Sequence, residues 1–420
     1  MLTPFLSLFS FVYSHLLHPI YRTTRRSIMF VFRAEDLPKD PVFPADLKQL
    51  GYFINDQDQI KKISNPEEDF VFKINTNDRY NEMQKEAMNT CIRQIVISRL
   101  LNLGLETLRL PIGAAANSQH VSILTSPAFQ SQPRLIVVFG DPTQDLGIWA
   151  YRVISKKGIN IGSAVNFATA VVGDSSSSPM GSEYQTANTN VANSSKNQDQ
   201  KQSQDNWSNS RTGTGLILTN PGQLVWHCGK EQAISLPMWH ALPRRSAVEP
   251  PMRMTFRNKI PGNETWQDHI TYVFEEVLGK LAAPDVKIDV IGLAEGGLGA
   301  VRYLAEHWPT WQSRISSICL TNPLHDTNHL HPPEFATFMS TRSRAYLLSE
   351  KPLSTPVAGR YEFGCNCYSA GEALDVESIM PRAWGGMLKW LDVMFENSAL
   401  EEVEVIVAED GEGEGDVVAS

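Results

Sequence analysis

The stretch that decides the fold is Val290–Gly299, which reads VIGLAEGGLG. An apolar run precedes it and a helical pattern follows it, which is the context of a Gly-x-Ser-x-Gly nucleophile elbow. Glycines let the strand and the helix approach each other around such a strained turn. Gly292 and Gly296 hold the two glycine positions, but the central residue is Ala294, followed by Glu295. Because a methyl group cannot attack a carbonyl carbon, the sequence predicts the architecture of the elbow without its chemistry.

Two other glycine-rich motifs fit this stretch less well. A dinucleotide-binding fingerprint needs a third glycine after Gly297 and Gly299, and a phosphate-binding P-loop needs a lysine after its last glycine. The sequence has neither. A plain strand-to-helix turn without catalytic ancestry stays open as the alternative interpretation.

The general base of a hydrolase is also missing from its usual place. This base is normally a histidine in a loop after the last strand, yet no histidine follows His331. Glu350, just beyond a predicted strand, is suitably placed to be the acid, although an isolated carboxylate there is also ordinary solvated surface. Together with Ala294, the missing histidine argues against hydrolysis.

Apolar strand patterns and helical patterns alternate along the chain. This alternation predicts an α/β-hydrolase-like, doubly wound and mostly parallel sheet, with a hairpin at 51–63 and a helix at 79–104 as its N-terminal extension. We predict the other strands at 135–139, 215–219, 286–291, 315–320 and 344–349, and the other helices at about 160–172, 265–281, 297–308 and 381–397.

One α/β domain is expected over residues 36–397. Residues 174–213 interrupt it with a polar stretch that has too little apolar surface to fold, which predicts a disordered insertion. Residues 400–420 follow as an acidic tail, also predicted to be disordered. Residues 1–28 are apolar and end in basic residues, but they lack the charge order of a signal peptide. For this extension three interpretations stay open: sequence upstream of a start at Met29, a membrane anchor, or an ordinary helix.

Charge and cysteine content restrict the classes of function. The net charge is −9, but the last 20 residues contain eight Asp or Glu and no basic residue, so the body is nearly neutral. Charge-driven binding to nucleic acid therefore gets no support. The five cysteines form no evident disulfide framework or zinc set, which indicates a reducing compartment. We expect no cofactor.

Other polar residues are predicted to lie at the carboxyl edge of the sheet, where α/β proteins bind ligands. Three histidines and an aspartate between His325 and His331 suggest a metal site, but no regular face brings them together, so an ordinary loop is the preferred interpretation. Gly140 and Asp141 hold the position of an oxyanion loop. The residues expected to line a pocket are Gly140, Asp141, Trp149 and His325.

The connection 226–263 contains Trp226, Trp239 and several prolines. Its tryptophans either pack in a buried cap or form a lid or docking surface for a partner. Buried packing is the preferred interpretation.

Four segments resemble the Arb-two (Argonaute-binding protein two) domain family. Asp46–Asn55 resembles its opening, Gly140–Trp149 its glycine-tryptophan segment after the first core strand, and Ser349–Val357 with Ser369–Gly371 its C-terminal signature. The resemblance covers about residues 36–397 apart from the insertion. It implies an α/β-hydrolase-like fold and, from fungal members, a part in RNA-mediated heterochromatin silencing as Argonaute-complex subunits or as domains attached to histone deacetylases.

Some relatives keep a serine in the elbow and a His-Glu pair shortly after the Ser-Ala-Gly segment. Here the corresponding positions hold Ala294 and, by spacing, Asp375. The leading hypothesis is therefore a catalytically inactive adaptor in a nuclear or nucleo-cytoplasmic silencing complex, which contacts RNA only indirectly. The alternatives are an active esterase with relocated catalytic residues and a small-molecule binding module that uses the vestigial pocket.

Overall fold

A computed structural model of the chain describes residues 37–173 and 213–407. It begins with a small antiparallel sheet of β1 (Tyr52–Ile54), β2 (Ile60–Lys62) and β3 (Asn65–Asp69). Helix α1 follows at Asp78–Asn102, with the Asn77 side chain accepting a hydrogen bond from the Arg79 amide as its N-cap. The predicted N-terminal hairpin and helix are confirmed.

The centre of the molecule is a nine-stranded sheet. Its strands are β4 (Glu106–Leu110), β5 (Val121–Thr125), β6 (Arg134–Phe139), β7 (Thr214–Leu218), β10 (Lys287–Leu293), β11 (Ile315–Thr321), β12 (Ser343–Leu347), β13 (Pro356–Val357) and β14 (Asn366–Ser369), while β8 (Val225–His227) and β9 (Gln232–Ile234) form a separate hairpin.

The strand order is β13-β14-β12-β11-β10-β6-β7-β5-β4. Six neighbouring strands, from β14 to β7, are parallel, and β5 runs against both of its neighbours. An antiparallel second strand, and third and fourth strands that exchange places, are the arrangement of an α/β hydrolase. The elbow stretch lies at the end of β10, the fifth strand of the central sheet in chain order. The predicted fold class is confirmed.

Helices cover both faces of the sheet, and each face has its own hydrophobic core. The helix expected at about 160–172 is observed at Val165–Val172, and a short helix that was not expected, Tyr151–Lys157, precedes it and ends at Gly158 with φ 118°. The remaining helices are α2 (Tyr151–Lys157), α3 (Val165–Val172), α4 (Leu236–His240), α5 (Trp266–Tyr272, continued by a π-helical segment Val273–Leu278), α6 (Glu295–Trp311), α7 (Pro333–Arg342), α8 (Arg360–Phe363) and α9 (Ile379–Glu396). No helix of the described ranges is both long and apolar enough to cross a bilayer.

The first residues of the predicted acidic tail lie against the domain. The Glu402 carboxylate lies 2.5 Å from Arg344 and accepts a hydrogen bond from the Tyr368 hydroxyl at 2.6 Å. The Asn366 amide donates to the Val403 carbonyl at 2.8 Å. Residues 402 and 403 thus contact the sheet, where Glu402 supplies a carboxylate to the half-buried Arg344. The extension 1–28, residues 174–212 of the insertion and the rest of the tail lie outside the described residues.

We expect Glu402→Gln to lower the free energy of unfolding by about 1.5–3 kcal/mol, because Arg344 would lose its charged acceptor. Urea denaturation at neutral pH measures this change. Glu404→Gln is the matched control, since Glu404 is half-exposed and 3.5 Å from its arginine partner. Equal stability losses in the two variants would show that the tail is not held by Glu402.

Candidate functional site

The elbow has the backbone of a nucleophile position without a nucleophile. Ala294 joins β10 to α6 with φ 45° and ψ −119°, a conformation that costs about 1–3 kcal/mol for a residue other than glycine. Its amide donates to the Thr321 carbonyl of the neighbouring strand at 3.0 Å. The fold thus retains the strained turn and presents only a methyl group at its centre.

Glycines make this turn sterically feasible. A Cβ on Gly292 would lie 2.4 Å from the Cα of Gly297, so the strand and the helix approach each other through two residues without side chains. A Cβ on Gly296 would lie 2.2 Å from the Gly140 carbonyl oxygen and 2.5 Å from that of Phe139. The elbow therefore packs directly on the loop that follows β6.

We expect Gly296→Ala to destabilise the protein by about 1–3 kcal/mol, because the backbone oxygens at the end of β6 and in the residue after it cannot readily move away from the added methyl group. Thermal unfolding measures the loss. Gly140→Ala is the matched control on the other side of the same contact, since its Cβ would meet nothing nearer than 3.7 Å. A Gly296→Ala protein as stable as the control would contradict this packing.

The two predicted acid positions are an exposed carboxylate and a carboxylate in an ion pair. Glu350 is exposed just after β12. Asp375 forms an ion pair with Arg152 of α2 at 2.6 Å, so its carboxylate already has a structural partner.

His325 does not reach the pocket that it was expected to line. Its side chain is buried, its Nε2 lies 2.9 Å from the Phe363 carbonyl, and its ring packs against the Phe363 ring. Burial lowers the pKa of His325. The side chain faces α8. The sequence therefore predicted the sheet edge at which this loop lies, but it did not predict the direction of the His325 imidazole. Nearby, His329 contacts Arg302 and Asp326, and the described residues contain no cluster of three metal-binding side chains.

A different histidine, His269 of α5, contacts the segment that follows β7 from within the core. It is fully buried, and its Nδ1 lies 2.7 Å from the Asn263 side-chain oxygen. Its Nε2 accepts a hydrogen bond from the backbone N–H of Asn220 at 3.1 Å. Burial lowers the pKa of His269 to about 3, so the ring is neutral. Its hydrogen bond fixes the backbone of Asn220, just after β7. The sequence did not indicate this role, because His269 lies within an ordinary helical pattern.

The structure brings three of the four predicted pocket residues together. Gly140, Asp141 and Trp149 line one pocket at the carboxyl ends of β6 and β7, beside the segment 219–221. The pocket has a volume of about 20 Å³, which is enough for about one water molecule or the polar end of a ligand. It lies next to the elbow, but Ala294 is not part of its lining.

A buried ion pair fixes the loop that forms this pocket. Arg93 of α1 contacts Asp145 at 2.8 Å and Glu86 of the same helix at 2.5 Å. The Tyr151 hydroxyl donates to the same Asp145 oxygen. Because buried charges are stable only when paired, this network determines where residues 140–149 lie.

The tryptophans of the 226–263 connection are buried. Trp226 packs against His120, and the Trp239 indole donates to the Met252 carbonyl at 2.8 Å. Their contacts support the buried-cap interpretation. The same connection also exposes four apolar side chains, which we call the exposed strip. They are Val248, Met252, Met254 and Phe256, with exposed fractions of 63, 59, 44 and 79%.

A sequence model of the Arb2 domain matches residues 43–353. The chain belongs to this family. The match includes the elbow, the pocket and the exposed strip of this Arb2 domain, while β13, β14 and α9 follow its end.

Solved structures similar to this Arb2 protein include a histone deacetylase from Saccharomyces cerevisiae, at 12% identity over 73% of this chain and 97% of that chain, with a TM-score of 0.37. A bacterial heroin esterase is similar at 11% identity over 74% and 91% of the two chains, with a TM-score of 0.29. Esterase Est22 follows at 9% identity over 78% and 95%, with a TM-score of 0.31. No curated protein sequence matches the chain.

Proposed function

We propose that this Arb2-domain protein is a catalytically inactive, α/β-hydrolase-like adaptor in a nuclear RNA-mediated heterochromatin-silencing complex, bound to an Argonaute-type complex or to a histone deacetylase. The observation that carries the proposal is Ala294. A hydrolase tolerates the strained elbow because it presents a nucleophile, whereas this chain keeps the strain with a methyl group. The contribution of the Arb2 domain is then binding.

Two features of the site support the absence of catalysis. Each predicted catalytic carboxylate is exposed or paired, and the buried His325 and His269 contact Phe363 and Asn263. The pocket beside the elbow is also too small to hold the acyl group and the alcohol of an ester at once.

The exposed strip is the surface that we assign to the partner. Four large apolar side chains within nine residues are unusual on a protein surface and mark interaction sites. Arg245, Arg253 and Arg257 are exposed beside them. This combination fits a partner segment with apolar side chains and acidic neighbours, because the charges would then be complementary.

The absence of catalysis is tested with a serine-directed fluorophosphonate probe on the purified full chain. We expect no covalent labelling of the wild type or of Ala294→Ser, because a serine without a base is not activated. An active serine esterase serves as the positive control for the probe. Labelling of the wild type would overturn the inactive assignment and favour an esterase with relocated catalytic residues.

The adaptor function is tested by affinity purification from native cells, with and without ribonuclease, followed by mass spectrometry. We expect an Argonaute or a histone deacetylase to be recovered with ribonuclease present, and to be lost from the double variant Met252→Ser, Phe256→Ser. The matched control is Val403→Ser, Ile406→Ser, which changes apolar residues in the tail that are at least as exposed. Recovery of neither partner would overturn the adaptor function, while retention by the strip variant would overturn only the assigned surface.

A further inference from the structure

The pocket beside the elbow is lined by four residues that each have an unpartnered polar atom. These atoms are buried and have no hydrogen-bond partner among the described residues. They are Gln144 Oε1, Asp145 Oδ1, Trp149 Nε1 and Asn220 Oδ1, and all four residues line the same pocket. Buried polar atoms are almost always paired in native proteins, so four of them around one cavity indicate that it receives a polar group.

The chemical character of three of these atoms is fixed by their neighbours. The side-chain nitrogen of Asn220 donates to the Ser122 carbonyl and to the Gln223 side-chain oxygen, so the side-chain oxygen of Asn220 is the remaining acceptor. The Oδ2 atom of Asp145 already accepts hydrogen bonds from Arg93 and Tyr151, so Oδ1 is the free acceptor of this carboxylate. An indole can only donate. The pocket therefore offers at least two acceptors and one donor.

This pattern favours a group that both donates and accepts hydrogen bonds. An anion would be repelled by the Asp145 carboxylate, and an ammonium group has no acceptor for the indole N–H of Trp149. A primary carboxamide has two N–H donors on one atom and an acceptor oxygen on the next, in a planar group that fits a small cavity. We propose that this pocket binds small molecules through a primary carboxamide, with its N–H groups donating to Asp145 and Asn220 and its oxygen accepting from Trp149.

The rest of such a ligand would leave the pocket past Gly140 and Asp141. Both residues line the cavity and are partly exposed, unlike Asp145, Trp149 and Asn220. The inference goes beyond the adaptor function and does not rest on it, because an inactive subunit and an esterase could both contain this site. The competing occupant is a water molecule, which also donates and accepts.

Acetamide is the test probe, because it is little more than the carboxamide itself. The measurement is a nuclear magnetic resonance titration of the isotope-labelled full chain, which follows the indole N–H signals. We expect acetamide to shift the Trp149 signal saturably. The Trp239 signal is the internal control and should not move, because its N–H already donates to Met252. N,N-dimethylacetamide, which has no N–H donors, and acetate, which is an anion, should leave both signals unchanged.

Trp149→Phe identifies the signal by its disappearance. If that variant does not fold, Gln144→Ala provides the second measurement. Gln144 is partly exposed, so its replacement should be tolerated, and loss of its unpartnered Oε1, the other acceptor among the lining residues, should weaken acetamide binding severalfold. A Trp149 signal that acetamide does not shift, or that N,N-dimethylacetamide shifts equally, would show that the pocket holds only water and would overturn the inference. Neither result changes fluorophosphonate labelling or partner recovery, so this failure is distinguishable from failure of the adaptor proposal.

Discussion

Replacing Arg134 by methionine is expected to lower the free energy of unfolding by about 3–5 kcal/mol. Arg134 lies in β6 and is almost completely buried, with its Nε 2.7 Å from Asp289 and its Nη1 2.8 Å from Asp392. Burial by itself would lower the pKa of Arg134, but the two carboxylates raise it, so the guanidinium stays charged. Methionine keeps most of the side-chain volume but removes the cation that pairs with the fully buried Asp289 carboxylate.

Urea denaturation of the full chain measures this effect. Arg109→Met is the matched control, because Arg109 is an exposed arginine on β4 and its loss should change stability by no more than about 0.5 kcal/mol. Replacing Asp289 by leucine in the Arg134→Met background should recover much of the loss, since the buried carboxylate that Arg134 neutralises would be gone. A loss below about 1 kcal/mol in Arg134→Met would contradict the buried ion pair.

The sequence itself carries a signal for this ion pair. The strands read RLIVVF at 134–139 and KIDVIGL at 287–293, so Arg134 adjoins one apolar run and Asp289 interrupts the other. The two strands are parallel neighbours, with Asp289 opposite Ile136. Opposite charges on adjacent buried strands predict a pair, but only once the neighbours are known. Strand order depends on long-range packing, which a single sequence does not specify.

Elements with strong local patterns were predictable, and elements defined by their neighbours were not. The continuous apolar runs of β6, β7, β10 and β11 are typical of parallel strands buried on both faces. Strand β4 is largely exposed and lies at the sheet edge, so its sequence lacks that signal. In the site, glycine spacing predicted the elbow, whereas the inward direction of Asn220 and Asp145 follows from contacts with distant residues.

Stability should fall with acidification in a way that depends on His269. Burial lowers the pKa of this histidine to about 3 from an ordinary value of 6.5. As the pH falls below 6.5, the unfolded chain binds a proton that the folded chain does not, so the stability present at neutral pH is progressively lost until about pH 3. Between pH 7 and pH 4 this group alone should lower the free energy of unfolding by about 3 kcal/mol, at about 1.4 kcal/mol per pH unit.

His269→Gln should remove this part of the pH dependence. Glutamine can still donate to Asn263 and accept from Asn220, but it does not titrate. Urea denaturation at pH 7 and pH 4 should therefore give a difference that is about 3 kcal/mol smaller in the variant than in the wild type. His331→Gln is the control, because His331 is exposed and its replacement should leave the difference unchanged. Identical pH dependence in His269→Gln and the wild type would mean that the ring takes up a proton as readily in the folded protein as in the unfolded chain, which would contradict a buried ring that accepts the Asn220 backbone amide proton.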